Sequence, residues 1–310
     1  MVCGHTSIPK PVSNYIWSFH MPLFFLISGA LFNEKKHQCF LPFLIRRVRS
    51  LVLPYLIFTM VAIAINSLSK DVSVTNIILN GWGGYALWFL PVLFMAELLF
   101  YPAVHFTVGR TKKHIYLLSF ILVLLIFGYL LSYWGIHLPY KVEVVPWATF
   151  FYGAGYLLKD VFRTIKSNWC ICILLLLVTI VISQALPRLD MCANIQGSVL
   201  FNNANAIYGT IVIILISKNI ETTRLVKPLK KFFRWAGANT MLIVGLSQCV
   251  ILGLKEIHLF HLMNIEAMNS VMRHVVLWVI LYALSLAVNR YVPWVVGRVR
   301  YNGLGNSYRS

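Results

Sequence analysis

Long apolar runs alternate with short polar connections along the whole chain. A run of about 20 mostly apolar residues is long enough to cross a bilayer, and nine stretches fit or approach that length. They cover residues 15–33, 43–66, 85–108, 114–134, 144–158, 168–186, 197–217, 236–254 and 269–296. Because hydrocarbon offers no partner to free backbone N–H and C=O groups, each run is expected to be a helix. The pattern predicts an all-α, polytopic integral membrane bundle with about nine transmembrane helices.

The composition agrees with a membrane protein built as one unit. Hydrophobic residues make up 59% of the chain and charged residues 12%, whereas soluble domains carry about 25% charged residues. The longest polar connections, at about 67–84, 218–234 and 255–268, are too short to fold independently. We therefore expect residues 1–310 to form a single membrane domain.

The formal net charge of +18 is explained best by membrane topology. With the 34–42 connection in the cytoplasm, most Lys and Arg residues fall on the inner side, as the positive-inside rule requires. The start of the chain then lies outside and its C-terminus inside. A nucleic-acid partner is not expected, whereas membrane lipids are, and anionic lipids attract basic residues on the cytoplasmic face.

The first residues, "MVCGHT", are apolar before they turn polar, like the last turn of a helix whose beginning is missing. We expect the chain to be N-terminally truncated, with nine helices present of ten. The six cysteines form no CxxC pair and no cluster at zinc-ligand spacing, so no metal site is expected.

Polar and charged side chains inside apolar runs raise the free energy of membrane insertion, so those that are present are candidates for a structural or functional role. Glu97, in "WFLPVLFMAELLF", is either a buried carboxyl that bonds another helix or part of a polar site. Asn202, Asn203 and Asn205 crowd one run in "LFNNANAIYG". Such amides either join helices or line a path for a polar substrate.

Arginine and histidine side chains near the ends of the apolar runs can have either a structural or a functional role. The segment "FLIRRVRSLVLPY" contains Arg46, Arg47 and Arg49. They are either topological anchors, or one or two of them turn into the bundle and bind phosphates. His20 precedes Pro22 and has a freed carbonyl available as a partner. His5 precedes a polar loop, and an imidazole there is suited to take a proton from a hydroxyl.

Three segments together carry a resemblance to a known family. "GHTSIPKPVSNYIWSFHMPLFFLISGALF", "RRVRSLVLPY" and "LWFLPVLFMAELL" resemble the membrane-bound acyltransferase family 3, particularly its fucose O-acetylase-like branch. The resemblance implies ten membrane helices and an O-acyltransferase. Its members move an acyl group, usually acetyl from cytoplasmic acetyl-CoA, to a hydroxyl of an extracytoplasmic sugar, glycan or glycolipid.

The resemblance also assigns roles to residues of this chain. It implies that His5 is catalytic and that Arg47 and Arg49 hold the phosphates of the acyl-CoA. The "FHMPLFF..SG" element contains His20 and Ser28. The side chains expected to contact substrate are His20, Ser28, Glu97 and Asn202.

Two departures from the family pattern stand out. The basic residue that members carry about ten positions before the catalytic histidine has no counterpart, because the chain begins at Met1. In "GANTMLIVGLSQ", Ser247 or Gln248 stands where a histidine is frequent. Either departure is consistent with an inactive chain.

Two other functions remain open on the sequence. A polytopic transporter or flippase for a small polar or lipid-linked substrate suits kinked helices and intramembrane amides equally. A different class of membrane acyltransferase would use a lone intramembrane histidine such as His105. We expect a multi-pass protein of the inner, plasma membrane in each case.

Overall fold

The computed structural model describes residues 10–69, 87–223, 227–256 and 266–297, and these are largely helical. Each predicted apolar run overlaps a helix, so the all-α fold is confirmed. The helices are α1 (Lys10–Ala30), α2 (Phe40–Arg47), α3 (Leu53–Ser69), α4 (Phe89–Thr107), α5 (Lys113–Tyr133), α6 (Val145–Thr164), α7 (Trp169–Ala185), α8 (Val199–Thr222), α9 (Lys227–Ala238), α10 (Thr240–Glu256) and α11 (Glu266–Tyr291).

Several of these helices are long and apolar enough to cross a membrane. Within the described residues five meet that standard by length and composition, and α7 is apolar but shorter. The five are Phe40–Ala64, Phe89–Thr107, Lys113–Tyr133, Val199–Thr222 and His274–Tyr291. The protein is a polytopic membrane helical bundle, while nine crossings of an expected ten stay a prediction.

The centre of the bundle is the contact between α1 and α6, where the two backbones nearly touch. A Cβ atom at Gly29 would lie 1.8 Å from the carbonyl oxygen of Tyr152, and one at Gly155 would lie 1.9 Å from that of Leu26. Each helix therefore presents a glycine to the other's backbone. Small residues permit this close packing, which in a membrane has to provide much of the attraction between helices.

Helix α6 is buried along most of its length and also packs against α4 and α5. Trp147, Phe151 and Tyr152 are its largest fully buried side chains. The sequence predicted a short run, 144–158, but the helix continues to Thr164. The apolar pattern stops at Lys159 because the last turns are polar, and those residues remain helical beyond the apolar segment.

Helices α2 and α3 are joined by a π-helical turn, Val48–Val52. The N–H of Leu53 bonds to the carbonyl of Val48, five residues back. Pro54 follows at once and has no N–H to donate. A single turn inside a longer α-helical segment is the form in which the rare π-helix mostly occurs. Arg47 directly precedes this turn, and Arg49 lies within it.

Helix α9 is an element that the sequence analysis did not separate. The run predicted at 236–254 begins inside α9. In the structure the helix is interrupted at Asn239, and α10 begins at Thr240. The Asn239 amide Nδ2 donates to the Trp235 carbonyl at 2.8 Å, and its Oδ1 accepts from Asn289 at 2.7 Å. The Asn239 side chain at the break is therefore held by hydrogen bonds to α9 and to α11.

Candidate active site

A polar cavity of about 510 Å³ lies between the first turns of α1, the 186–198 connection and the first turns of α8. We call it the outer cavity, because the predicted topology places these segments on the outer side. Its lining is rich in amides and hydroxyls and includes two cations. It is lined by Lys10, Ser13, Asn14, Ser18, Ser183, Leu186, Pro187, Arg188, Leu189, Asn202 and Asn205.

Asn202 fixes the wall of the outer cavity. Its Nδ2 donates to the Pro187 carbonyl at 2.6 Å, and its Oδ1 accepts the N–H of Ser198 at 3.3 Å. Gly197 has a φ of +64°, and a Cβ there would lie 2.8 Å from Nδ2 of Asn202. The structure thus places Asn202 at the cavity and shows its amide joining α8 to the preceding connection. Its contact with substrate stays a prediction.

A second cavity, of about 310 Å³, lies between α1, the π turn, α4 and the break between α9 and α10. We call it the inner cavity, because Ser28 and Thr240 line it near the predicted inner ends of their helices. Phe24, Leu51 and Phe89 make much of the wall apolar. Ser28 and Asn202, both predicted to contact substrate, therefore line different cavities.

Glu97 forms an ion pair with Arg47 of another helix. Nε of Arg47 lies 2.8 Å from Oε2 of Glu97, and the Glu97 residue is 2% exposed. The hydroxyl of Tyr152 donates to Oε1 of Glu97 at 3.5 Å. Of the two interpretations of Glu97, the structure shows a carboxyl bonded to another helix, and its substrate contact stays a prediction.

The two arginines predicted to hold phosphates differ in their surroundings. The guanidinium group of Arg47 pairs with Glu97 and lies over the ring of Phe43, 5.4 Å from its centroid. Arg49, in the π turn, is exposed. Of these two, Arg49 is the better placed to reach a soluble anion.

The 34–42 connection, which we call the inner connection because the predicted topology places it in the cytoplasm, carries a polar cluster that the sequence alone did not indicate. The carboxylate of Glu34 pairs with Lys113 and accepts from the Tyr156 hydroxyl at 2.5 Å. Partial burial alone would raise the pKa of Glu34, but hydrogen bonds from Lys113 and Tyr156 and the charges of Lys113 and Lys159 outweigh it. The pKa of Glu34 is therefore below its usual value, and the carboxylate links α5 to α6.

His105 joins α4 to the same inner connection. Its ring nitrogens lie 2.9 Å from the Tyr101 carbonyl oxygen and 3.0 Å from the His37 carbonyl oxygen. Its ring also stacks on that of Tyr101, with centroids 4.0 Å apart. Because both nitrogens already contact backbone oxygens, the structure offers no support for His105 as the base of another acyltransferase class.

Of the two histidines in the first segment, His20 and His5, the structure describes only His20. His20 is buried, and its Nδ1 donates to the Ile16 carbonyl at 2.9 Å. It is not among the described residues that line either cavity, and its contact with substrate stays a prediction. His5, the predicted catalytic residue, lies outside the described residues.

No three His, Cys, Asp or Glu side chains are placed to share a metal ion in the part of the chain that the structure describes. The absence of a metal from the reaction stays a prediction. The structure does bring polar side chains together in the outer cavity, in the Arg47–Glu97 ion pair and around Glu34.

Comparison with known proteins gives the family. No curated protein and no solved structure matches the chain significantly. The profile of the acyltransferase domain Acyl_transf_3 matches residues 1–296. With that match and its helical bundle, the chain belongs to this family of multi-pass membrane acyltransferases.

Proposed function

We propose that this protein is an O-acyltransferase of the fucose O-acetylase-like branch in the plasma membrane, which transfers acetyl from cytoplasmic acetyl-CoA to an extracytoplasmic sugar or glycan. The observation that carries the proposal is the polar outer cavity, lined by Asn14, Asn202 and Asn205. Amides and hydroxyls are the groups that bind a polyhydroxylated acceptor. The predicted topology puts this cavity on the side opposite Arg49.

The inner side suits the acyl donor. Arg46 and Arg49 are exposed beside the inner connection, and guanidinium groups bind phosphates through paired hydrogen bonds. The inner cavity begins near the same π turn, at Leu51, and has Ser28 and Thr240 as polar groups in a largely apolar wall. A mixed lining of this kind suits the pantetheine arm and its thioester.

The reaction we propose is direct transfer within a ternary complex. His5 takes the proton of the acceptor hydroxyl, the hydroxyl oxygen attacks the thioester carbonyl, and the new C–O bond replaces the C–S bond. The departing CoA thiolate then takes the proton from the imidazolium. Proximity and general base catalysis both contribute to such a step. Lys10, five positions after His5, lines the outer cavity.

The test compares His5→Ala with the unchanged protein in proteoliposomes. Labelled acetyl-CoA is supplied on the inner side and cell-envelope glycans on the outer side. We expect acetyl transfer to fall at least about 100-fold, because a positioned base contributes roughly 10²–10⁴. His137→Ala is the matched control, since His137 is an exposed histidine of the predicted outer side.

Transfer retained in His5→Ala would reject the catalytic role. Movement of glycan across the membrane without any use of acetyl-CoA would instead favour the transporter or flippase. Binding of CoA that is equal in His5→Ala and the unchanged protein would show that the substitution leaves the folded donor site intact.

A further inference from the structure

Asn205 differs from Asn202 in having an amide oxygen with no partner. Asn205 is 5% exposed and lines the outer cavity. Within the described chain, its Oδ1 has no hydrogen-bond partner. A buried acceptor left unpaired costs roughly 1–3 kcal/mol, so this oxygen is suited to receive a donor from a bound molecule.

The donor that fits Oδ1 of Asn205 is a hydroxyl or an N–H, because a carbonyl oxygen of an amide only accepts. Asn202, three residues earlier on the same helix, already uses both its Nδ2 and its Oδ1 within the protein. The two amides therefore have different tasks. Asn202 positions the wall, and Asn205 leaves a buried, unpaired acceptor beside the cavity.

Both charged side chains among the described lining residues of the cavity are cations. Lys10 and Arg188 both line it, and its described lining residues include no carboxylate. The guanidinium group of Arg188 lies over the Trp17 ring, 4.0 Å from its centroid, and its Nη2 lies 3.3 Å from Oδ2 of Asp190. The side chain is still 57% exposed, and a guanidinium has five donors, so it can hold an anion as well.

We propose that the outer cavity is the acceptor subsite and that it selects a sugar carrying an anionic group. A sugar hydroxyl donates to Asn205, while Lys10 and Arg188 bind the anion. This inference rests on the proposed acyltransferase function, and it narrows the acceptor to acidic sugars. The anion is a uronic carboxylate or a phosphate ester, since both accept hydrogen bonds from these cations.

The test measures binding of three probes to the full natural protein in nanodiscs: glucuronic acid, glucose 6-phosphate and glucose. We expect at least one anionic probe to bind about tenfold more tightly than glucose, because hydrogen bonds to charged groups exceed neutral ones. The stronger of the two anionic probes identifies the source of the charge. Glucose binding as tightly as both would overturn the proposal.

Two substitutions separate the contributions. Arg188→Gln should reduce the anionic preference severalfold, whereas Arg163→Gln should not, although Arg163 is likewise an exposed arginine near an aspartate, Asp160. Asn205→Leu should weaken binding of all three probes without loss of thermal stability, because it removes an unpaired acceptor. Unchanged binding in Asn205→Leu and Arg188→Gln would overturn the proposal.

CoA binding, measured in parallel, keeps this inference separate from the proposed function. Acidic sugars bound by a protein that does not bind CoA would preserve the subsite and reject the acetyl-CoA reaction. His5-dependent acetylation restricted to neutral sugars would preserve the reaction and reject the anionic subsite.

Discussion

Arg47 and Arg49 stand two positions apart, yet the fold gives them different surroundings. Arg47 is paired with Glu97, and Arg49 is exposed. The family resemblance implies a phosphate contact for both, because both match the basic residues of the family pattern. The structure adds the helix rotation and depth that distinguish them, and neither property can be read from one segment.

Arg47→Gln should lower the free energy of unfolding by about 3 kcal/mol, since removing one partner of a buried ion pair leaves the other charge uncompensated. Arg49→Gln should leave stability unchanged and weaken CoA binding. Denaturant titration in detergent measures the first effect, and equilibrium binding of labelled CoA measures the second.

The double variant Arg47→Gln/Glu97→Gln is the control for the ion pair. It should be more stable than the sum of the two single losses predicts, because it leaves no unpaired charge. Additive losses, or a fully stable Arg47→Gln, would show that the pair contributes no net stability.

His37 makes the stability of the inner connection depend on pH. Its burial, followed by the positive charges of Arg47 and Arg46, lowers its pKa to about 4. An unfolded histidine titrates near 6.5, so between these values the unfolded chain binds a proton that the folded chain does not. The stability contributed by neutral His37 is therefore present above about pH 6.5 and is lost as the pH falls towards 4.

His37→Phe should flatten this decline while preserving the ring that stacks on Phe32. The unfolding midpoint at pH 7 and at pH 5 is the measurement. His114→Phe, a change at an exposed ring of α5, should retain the decline of the unchanged protein. An equal decline in His37→Phe would assign the pH dependence to other groups.

At the scale of elements, the sequence predicted the apolar helices well because burial in lipid leaves a long and simple pattern. Helix α9 was missed, since Lys230, Lys231 and Arg234 make its segment read as a polar connection. Its available signal was the alternation of these cations with Phe232 and Trp235 at helical spacing. That pattern is typical of a helix at a membrane surface rather than a span.

The contact between Glu34 and Lys113 could not be predicted in the same way. The two residues are 79 positions apart, and Tyr156 is 122 positions from Glu34. Each lies near a helix end that looks like ordinary positive-inside sequence. Only the packing of α5 and α6 against the first connection brings the three together.

Gly155→Ala should destabilise the bundle by about 2–3 kcal/mol, because the new methyl group would meet the Leu26 backbone and overpacking costs about that much. The midpoint of thermal unfolding in detergent reports the change. Gly237→Ala is the matched control, since a Cβ at this helical glycine has no atom within 4 Å. Equal midpoints for both variants would contradict the close contact of α1 and α6.

For the molecule as a whole, the orientation of the bundle in the membrane decides which cavity faces which substrate. Cys39 is exposed in the connection predicted to be cytoplasmic. Ala193 is exposed in the connection predicted to be outside. With every other cysteine replaced, a membrane-impermeant maleimide should label Cys39 only in inside-out vesicles, and with all native cysteines replaced it should label Ala193→Cys only in right-side-out vesicles. The reverse labelling would exchange the two sides and reject the assignment of donor and acceptor.

The pairing of Arg47 with Glu97 also bears on how the chain is made. A lone charged group at the centre of a helix raises the cost of its insertion by roughly 2.5–3.5 kcal/mol, and the span that carries Glu97 brings no cation of its own into the bilayer. Because α2 precedes α4 along the chain, Arg47 is synthesised before Glu97. The order of residues along the chain thus places the arginine before the buried glutamate with which it pairs.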